Sequence, residues 1–339
     1  MALYKDSGVD IERGEEIVKI LKPLAKSTHI KGILPSTGGF GGIFDLKSAG
    51  FDKPPVLVVS TDGVGSKLKF ALKYGYEHTI GIDLVAMNVN DVICEGATPL
   101  LFSDYYATDS IDLIRSEKIL NGIVLGCQQA GCALISGETA EMPTMLDKDE
   151  IELAGFCVGA VNRTFLRPFK MEKDYIIIGL FSSGIHSNGF SLIREDLPTD
   201  LIPVVMEPTM IYAQHWREVF SHYAVATAHI TGGGLYRNIP RIIPDGLCAK
   251  INLSTWELPK IFKIIQNGNL TFNHGSLTEQ EMLKTFNCGI GMVFILNPVY
   301  LEEVIHKLNS ITKNYAIIGK IIKEDKKIKF TGRLSYEYI

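Results

Sequence analysis

The nine residues DVICEGATP, Asp91–Pro99, decide how this chain is read. They close a helical segment, and they come about thirty residues after a second acidic turn, TDGVGSKL, Thr61–Leu68. Two acid-bearing turns this close, both fed by apolar runs, point to a site for a metal-bound polyphosphate. The pattern predicts a helix from Asp83 to Glu95, stopped by Gly96 with Pro99 just beyond. At about 100° per residue, Asp83, Asn88, Asn90, Asp91 and Glu95 share an arc of roughly 160°. Val85, Val89, Val92 and Ile93 take the other side. The expectation is a helix that buries its valines and presents a row of carboxylates and amides. A solvated acidic face usually mixes signs, yet none of these acids has a lysine or arginine four residues on. Carboxylates suit Mg²⁺, a hard cation that takes oxygen ligands and bridges phosphates. Asp62, after the strand-like run Val56–Ser60, supplies a ligand from a second element. Gly63 and Gly65 let backbone approach phosphate, and Lys67 can neutralise an oxygen. GVGSK lacks the GxxxxGK[ST] spacing, so this is not a P-loop and the nucleotide site must be of another design.

Outward from this centre lie five further stretches. Gly38-Gly39-Phe40-Gly41-Gly42 reads either as a hinge or as a lid whose amides wrap phosphates. Glu138, in SGET, reads as a cap or as a metal ligand or supporting carboxylate. SSGIHSNG, 182–189, stands between a predicted strand, Tyr175–Phe181, and a predicted helix. Amides at a helix N-terminus bind anions, and Ser182, Ser183, Ser187 and Asn188 add donors. His186 is the titratable group of that loop. HITGGG makes a second anion-friendly turn from His229, Thr231 and Gly232–Gly234. TFNCGIGM, 285–292, is expected to line the same site, with Cys288 packing and not reacting.

The 339 residues allow two domains, each with its own core. A polar, basic stretch, Asn162–Lys173, separates two apolar blocks, which sets domains at 1–165 and 166–339. Other expected elements are a helix over Glu12–Ala25, strands over Pro99–Tyr106, Cys132–Ser136 and Glu152–Val161, and a helix over Ser116–Gly131. The order mixes sheet and helix without plain βαβ alternation. With 46% hydrophobic and 21% charged residues and a net charge of −4, the chain offers no basic field for nucleic acid. No apolar run reaches the roughly 18–20 residues of a membrane span. Charge by Lys5 leaves no secretory h-region, so a cytoplasmic protein is expected. Six cysteines form no CxxC, and the expectation is reduced, buried fillers.

These stretches, with YKDSGVDI (4–11), TIGIDLVAMNVNDVICEGATP (79–99), DYYAT (104–108), SGETAEMP (136–143) and AGFCVGAV (154–161), occur in an order and spacing that resembles the aminoimidazole ribonucleotide synthetases. That family is also called phosphoribosylformylglycinamidine cyclo-ligase. The resemblance covers nearly the whole chain. It implies an α/β (α+β) fold of two domains, with N-terminal domains pairing into a β-barrel across a homodimer. It implies ATP-dependent ring closure of formylglycinamidine ribonucleotide in purine biosynthesis. It places ATP on Gly38, Gly39, Phe40, Gly41, Asp62, Gly63, Lys67, Asp83, Asn90 and Asp91, with Mg²⁺ on Asp62, Asp83, Asp91 and Glu138. The ribonucleotide falls to Ser183, His186, Ser187, Asn188, His229, Thr231 and Gly232, and His186, Asp91 and Lys67 are the candidate catalytic residues. The 196–211 stretch is short and proline-rich where the family would carry a longer helical insertion. Selenophosphate synthetase would want a cysteine before Cys94, and the hydrogenase maturation relative a cysteine at the C-terminus, so neither is expected here. A non-catalytic nucleotide-binding regulator would have lost the metal carboxylates.

Overall fold

The computed structural model describes residues 11–34, 43–51, 55–162, 170–271 and 275–336. Gly38, Gly39, Phe40 and Gly41, expected at the ATP phosphates, lie outside the described residues, as does most of the expected linker. The chain divides into two compact units, Met1–Val92 with Ala97–Thr164, and Ile93–Gly96 with Phe165–Ile339.

The first unit runs α1 (Ile11–Lys26), β1 (Ile33–Leu34), β2 (Ile43–Phe44), β3 (Val56–Gly63), α2 (Lys67–Tyr74), α3 (Glu77–Cys94), β4 (Thr98–Thr108), α4 (Leu113–Ala130), β5 (Ala133–Glu141) and β6 (Ile151–Val161). Its four-stranded sheet has the order β3-β6-β4-β5. Strands β4 and β5 are parallel, joined by the α4 crossover, and the other two pairings are antiparallel. Helix α4 starts where Asp112 accepts from the amides of Ile114 and Arg115, and ends on left-handed Gly131. Phe102, Asp104 and Tyr106 alternate onto the buried face of the sheet. Gly155 of β6 lets α3 lie close, since a Cβ there would collide with the Asn88 amide and the Phe102 ring. On the opposite face Leu57, Val59 and Phe156 stand 53%, 66% and 44% exposed.

Helix α3 departs from its expected form. It begins at Glu77, six residues before Asp83, and it is buried on both sides. Val85, Val89 and Val92 are inside, but so are Asp83, Asn88 and Asn90. Most of the polar row is therefore not a solvent face, with Asp91 half-buried and Glu95 exposed, and each buried polar group needs a built partner.

The second unit runs β7 (Ile176–Phe181), β8 (Ala224–His229), α5 (Gly234–Asn238), β9 (Leu247–Asn252), β10 (Glu257–Leu258), α6 (Lys260–Gln266), α7 (Glu279–Thr285), β11 (Ile290–Leu296), α8 (Leu301–Ile311), β12 (Tyr315–Lys323), β13 (Ile328–Thr331) and β14 (Ser335–Tyr336). Six strands form one sheet in the order β13-β9-β12-β7-β11-β8, and β10 pairs with β14. Every residue of β8 and β11 is buried, as strands of a covered sheet should be, including Thr227 and His229 of β8. Helix α7 opens on a capping box between Thr278 and Glu281. Neither large sheet closes into a barrel among the described residues.

No helix follows SSGIHSNG, contrary to expectation. Gly189, left-handed at φ 88°, leads into a single 3₁₀ turn, Phe190–Leu192, and Ile193 then bridges to Thr271. The segment 194–201 carries Pro198 and turns instead of coiling. The anion-binding argument from a helix N-terminus does not apply to this loop.

Candidate active site

In the first unit the acids are distributed over three elements. Asp62 ends β3, exposed, with its Oδ1 accepting from the amide of Gly63 at 2.8 Å. Its carbonyl accepts from Asn88 Nδ2 at 3.1 Å, which ties the end of β3 to α3. Asn88 Nδ2 also donates to Leu84 O at 2.9 Å, and its buried Oδ1 has no hydrogen-bond partner. Asp91, half-buried, follows Asn88 by three residues, so the two are neighbours on one helix face. Asn88 thus joins the end of β3 to the helix face that carries Asp91.

Asp83 is elsewhere. Eight residues before Asp91, it sits about 12 Å along the helix from it. Its carboxylate is fully buried and paired with the equally buried Lys67, Nζ to Oδ2 2.8 Å and to Oδ1 3.1 Å. The expectation that Lys67 reaches a phosphate is not met in this arrangement, because its ammonium is turned inward on Asp83. This lysine comes from α2, not from a position four residues along the helix. Asn90 is buried as well, and Gly63 faces Ala154 across the β3–β6 ladder.

Glu138 lies on β5, the opposite edge strand from β3, so about 14 Å of sheet separates it from the Asp62 strand. It pairs in register with Tyr105. Among the described residues no three His, Cys, Asp or Glu side chains gather at metal-holding distance. The four expected ligands do not form one cluster; Asn88 ties the backbone of Asp62 to the helix that carries Asp91.

One acid was absent from the expected site. Asp104 stands in a row across the sheet, Asp62–Gly155–Asp104–Gly137. It is buried, and its Oδ1 has no hydrogen-bond partner. Burial pushes its carboxyl up to about 7, and the neighbouring charge of Glu138 adds to the shift. The readable signal was an acid at an inward position of an apolar alternation, Phe102-x-Asp104-x-Tyr106.

In the second unit four motifs meet. His186 is buried at φ 64°, and its Nε2 accepts from the amides of Ser183 at 3.2 Å and Met210 at 3.4 Å. The tautomer implied has its proton on Nδ1, so Nε2 serves the loop and not a substrate. Ser183 Oγ donates to Pro208 O at 2.6 Å, and Ser187 and Thr209 hydroxyls are 2.8 Å apart. Tyr212, from the same 208–212 segment, donates to Phe181 O at 2.8 Å, and its ring lies 6.4 Å from that of His186. Gly291 is the close approach that permits this, since a Cβ there would collide with the Tyr212 hydroxyl and the His186 ring. Asn188 stands against Gly232 of the second turn. That turn is held by the buried Asn238, whose Nδ2 donates to the carbonyls of Thr231, Gly232 and Gly234. His229 is buried at the end of β8, opposite Met292.

TFNCGIGM supplies Asn287, which sequence reasoning left out. Its Nδ2 donates to Gly184 O at 2.9 Å and Ile185 O at 3.3 Å. Its Oδ1 accepts from Ser182 Oγ at 3.0 Å and from the amide of Gly289 at 2.8 Å. Cys288 is buried at φ 48°, and burial pushes its thiol well up, as packing without reaction requires. Cys127, Cys132, Cys157 and Cys248 are buried too, with Cys94 half-buried.

Comparison with known proteins agrees over both units. Residues 48–161 match the AIR synthase related protein, N-terminal domain, and residues 173–330 match the AIR synthase related protein, C-terminal domain. Phosphoribosylformylglycinamidine cyclo-ligase of Thermoanaerobacter sp. (strain X514) is 44% identical over 338 residues, covering 95% of this chain and 98% of that protein. The same enzyme of Geotalea daltonii is 45% identical over 339 residues, covering 95% of each. The bifunctional purine biosynthetic protein purD of Dictyostelium discoideum is 43% identical over 98% of this chain, which spans only 42% of that protein. Among solved structures, E. coli HypE, a hydrogenase maturation protein, superposes with a TM-score of 0.66 at 16% identity, covering 94% of each chain. AaThiL complexed with AMPPCP and TMP does so at 0.59 and 16% identity, covering 94% of this chain and 93% of that one. At such identities these two show the fold alone. The full-length relatives and both domain matches show that the chain belongs to the AIR synthase related family, among its phosphoribosylformylglycinamidine cyclo-ligases.

Proposed function

We propose that the chain closes the imidazole ring of aminoimidazole ribonucleotide with the two substrates divided between its units. The reaction is that of its full-length relatives, a ligase step of purine biosynthesis. An amide oxygen is a poor leaving group. ATP phosphorylates it, and the resulting iminophosphate has an electrophilic carbon. The amidine nitrogen of the same molecule attacks that carbon, and phosphate departs with ADP as the other product. The protein's contribution is to hold the γ-phosphoryl group at the amide oxygen and to fold the substrate for attack.

ATP is assigned to residues 38–99. Asp62 and Asp91 are the carboxylates best placed for Mg²⁺, with the unpartnered Asn88 oxygen beside them as a further hard donor. Two such ligands suffice, because Mg²⁺ usually keeps waters and phosphate oxygens in the rest of its shell. When bound, the ion would neutralise charge on the transferring phosphoryl group. Asp83 and Lys67 then act as a buried pair beneath that region, and Glu138 acts from the far edge of the sheet. The ribonucleotide is assigned to Ser183, Ser187, Asn188, His229, Thr231 and Gly232, with His186 shaping the loop. The observation that carries the assignment is the convergence of 182–189, 208–212, 229–234 and 285–292 on one another. Hydroxyls, amides and histidines suit a phosphate monoester, and acids are few there.

A homodimer belongs to the same proposal. The exposed Leu57, Val59 and Phe156 form an apolar face on the four-stranded sheet, which a second copy would cover by pairing into a barrel. Six free cysteines fit a reducing, cytoplasmic setting. The test of function is ATP hydrolysis that depends strictly on added formylglycinamidine ribonucleotide and yields an aromatic amine. Hydrolysis that is indifferent to the ribonucleotide would overturn the reading.

A further inference from the structure

We propose that Asn287 is a positioning residue for ring closure, because its side chain bonds three residues of the 182–186 loop on which the ribonucleotide is assigned to bind. The inference rests on that assignment and goes beyond it. A primary amide side chain has two donor hydrogens and an acceptor oxygen with two lone pairs. Asn287 uses all of them on two loops. Its donors take the carbonyls of Gly184 and Ile185, and its oxygen takes the Ser182 hydroxyl and the Gly289 amide.

The geometry explains why these bonds matter. Residues 182–189 have no ladder or helix of their own, so their buried carbonyls must be satisfied by side chains. Asn287 is 2% exposed, out of reach of bulk water that could replace it. Directly after Ile185 the backbone enters the left-handed region at His186, φ 64°, which a residue bearing Cβ holds only when its surroundings impose it. The holder is itself fixed. The Ser182 amide donates to Gly289 O at 2.9 Å, and Trp256 Nε1 donates to Cys288 O at 2.9 Å. Aspartate at 287 would keep the two accepting contacts and lose both donations, and alanine would lose all four. Asn287 touches loop backbone and a loop hydroxyl, so it acts through Ser183, His186 and Ser187 and is not a catalytic residue.

The experiment compares wild type, Asn287→Ala, Asn287→Asp and His186→Ala for kcat and KM toward formylglycinamidine ribonucleotide and toward ATP. The ¹³Cε1 resonance of His186 is followed in ¹³C-histidine-labelled protein and assigned by its loss in His186→Ala. The expected result is a fall in kcat/KM for the ribonucleotide of roughly 10- to 100-fold in both Asn287 variants, the range for buried groups left unpaired. The KM for ATP stays within about threefold, and the His186 resonance moves. If Asn287→Ala fails to fold, Asn287→Asp, which preserves volume, carries the test. A folded variant with wild-type ribonucleotide kinetics overturns the proposal. So does an equal loss toward both substrates with the His186 resonance unmoved, which is what a merely structural role would give. If His186→Ala impairs ribonucleotide kinetics and the Asn287 variants do not, the positioning role alone is wrong. If none of the variants affects the ribonucleotide, the assignment of the loop is wrong as well.

Discussion

Asp91 and Asp104 show how differently two acids of one sheet-and-helix unit can be used. Asp91 is half-buried, one turn along α3 from Asn88, which holds the backbone of Asp62. Asp91→Asn keeps the shape and removes the charge. We expect turnover to fall by roughly 10²–10³, the cost of losing about 3–4 kcal/mol of charge stabilisation, with the melting temperature unchanged. A purified variant with near-wild-type turnover would take Asp91 out of the site. Asp104 is buried and holds its proton up to about 7, from an ordinary 3.8. The folded state binds that proton more tightly than the unfolded chain does. Its contribution is therefore fully present below about pH 4 and is lost as pH rises through about 7, by up to about 1.4 kcal/mol per pH unit. Asparagine mimics the protonated form. Metal-free Asp104→Asn should be more stable than wild type at about pH 8, with the gap closing toward about pH 4.5. Urea midpoints that run parallel across that range would contradict it.

At the scale of elements, α3 and the 182–189 loop carry the two halves of the proposed site by different means. Helix α3 is mostly buried, so its buried polar residues work through specific partners: Asn88 on the β3 carbonyl, Asp83 on Lys67. Removing one member of that buried pair would strand a charge at a cost of about 3–5 kcal/mol. The loop has no regular structure and depends on Asn287 and the 208–212 segment. The two elements should therefore fail separately. His186→Ala is expected to weaken ribonucleotide binding or lower kcat while ATP·Mg²⁺ binding stays within about threefold, under about 1 kcal/mol. Asp62→Asn is expected to do the reverse. Calorimetric titration of both variants with both ligands decides it. Equal loss of ATP binding in the two would mean the sites are one.

At the scale of the whole molecule, the four-stranded sheet has a face covered by α3 and a face that no element among the described residues covers. Strand alternation sends Leu57, Val59 and Phe156 to the second face. A second copy is the proposed cover. Light scattering at micromolar concentration should then give twice the 37.5 kDa of one chain. Phe156→Glu should shift that mass toward the monomer, since a carboxylate cannot be buried there unpaired. A wild-type mass near 37.5 kDa would contradict the dimer.

The order of motifs along the chain was enough to establish the family, and local pattern placed a strand at 175–181 and a helix at 12–25, each within one residue of the observed bounds. Short-range pattern reports which chemistry is present and which way an element alternates. It does not report what packs against the element. Lys67 and Asp83 are 16 residues apart and Asn287 and Gly184 are 103 apart, beyond any helical or strand period. Only the packing of α2 on α3, and of the β11 approach on the loop after β7, decided those pairs. The same holds for the acid row of α3. Its arc was legible, but its burial depended on a sheet and a second helix closing over both sides. A polar face seals inside a protein only when tertiary partners offset its desolvation, and those partners are set by the fold as a whole.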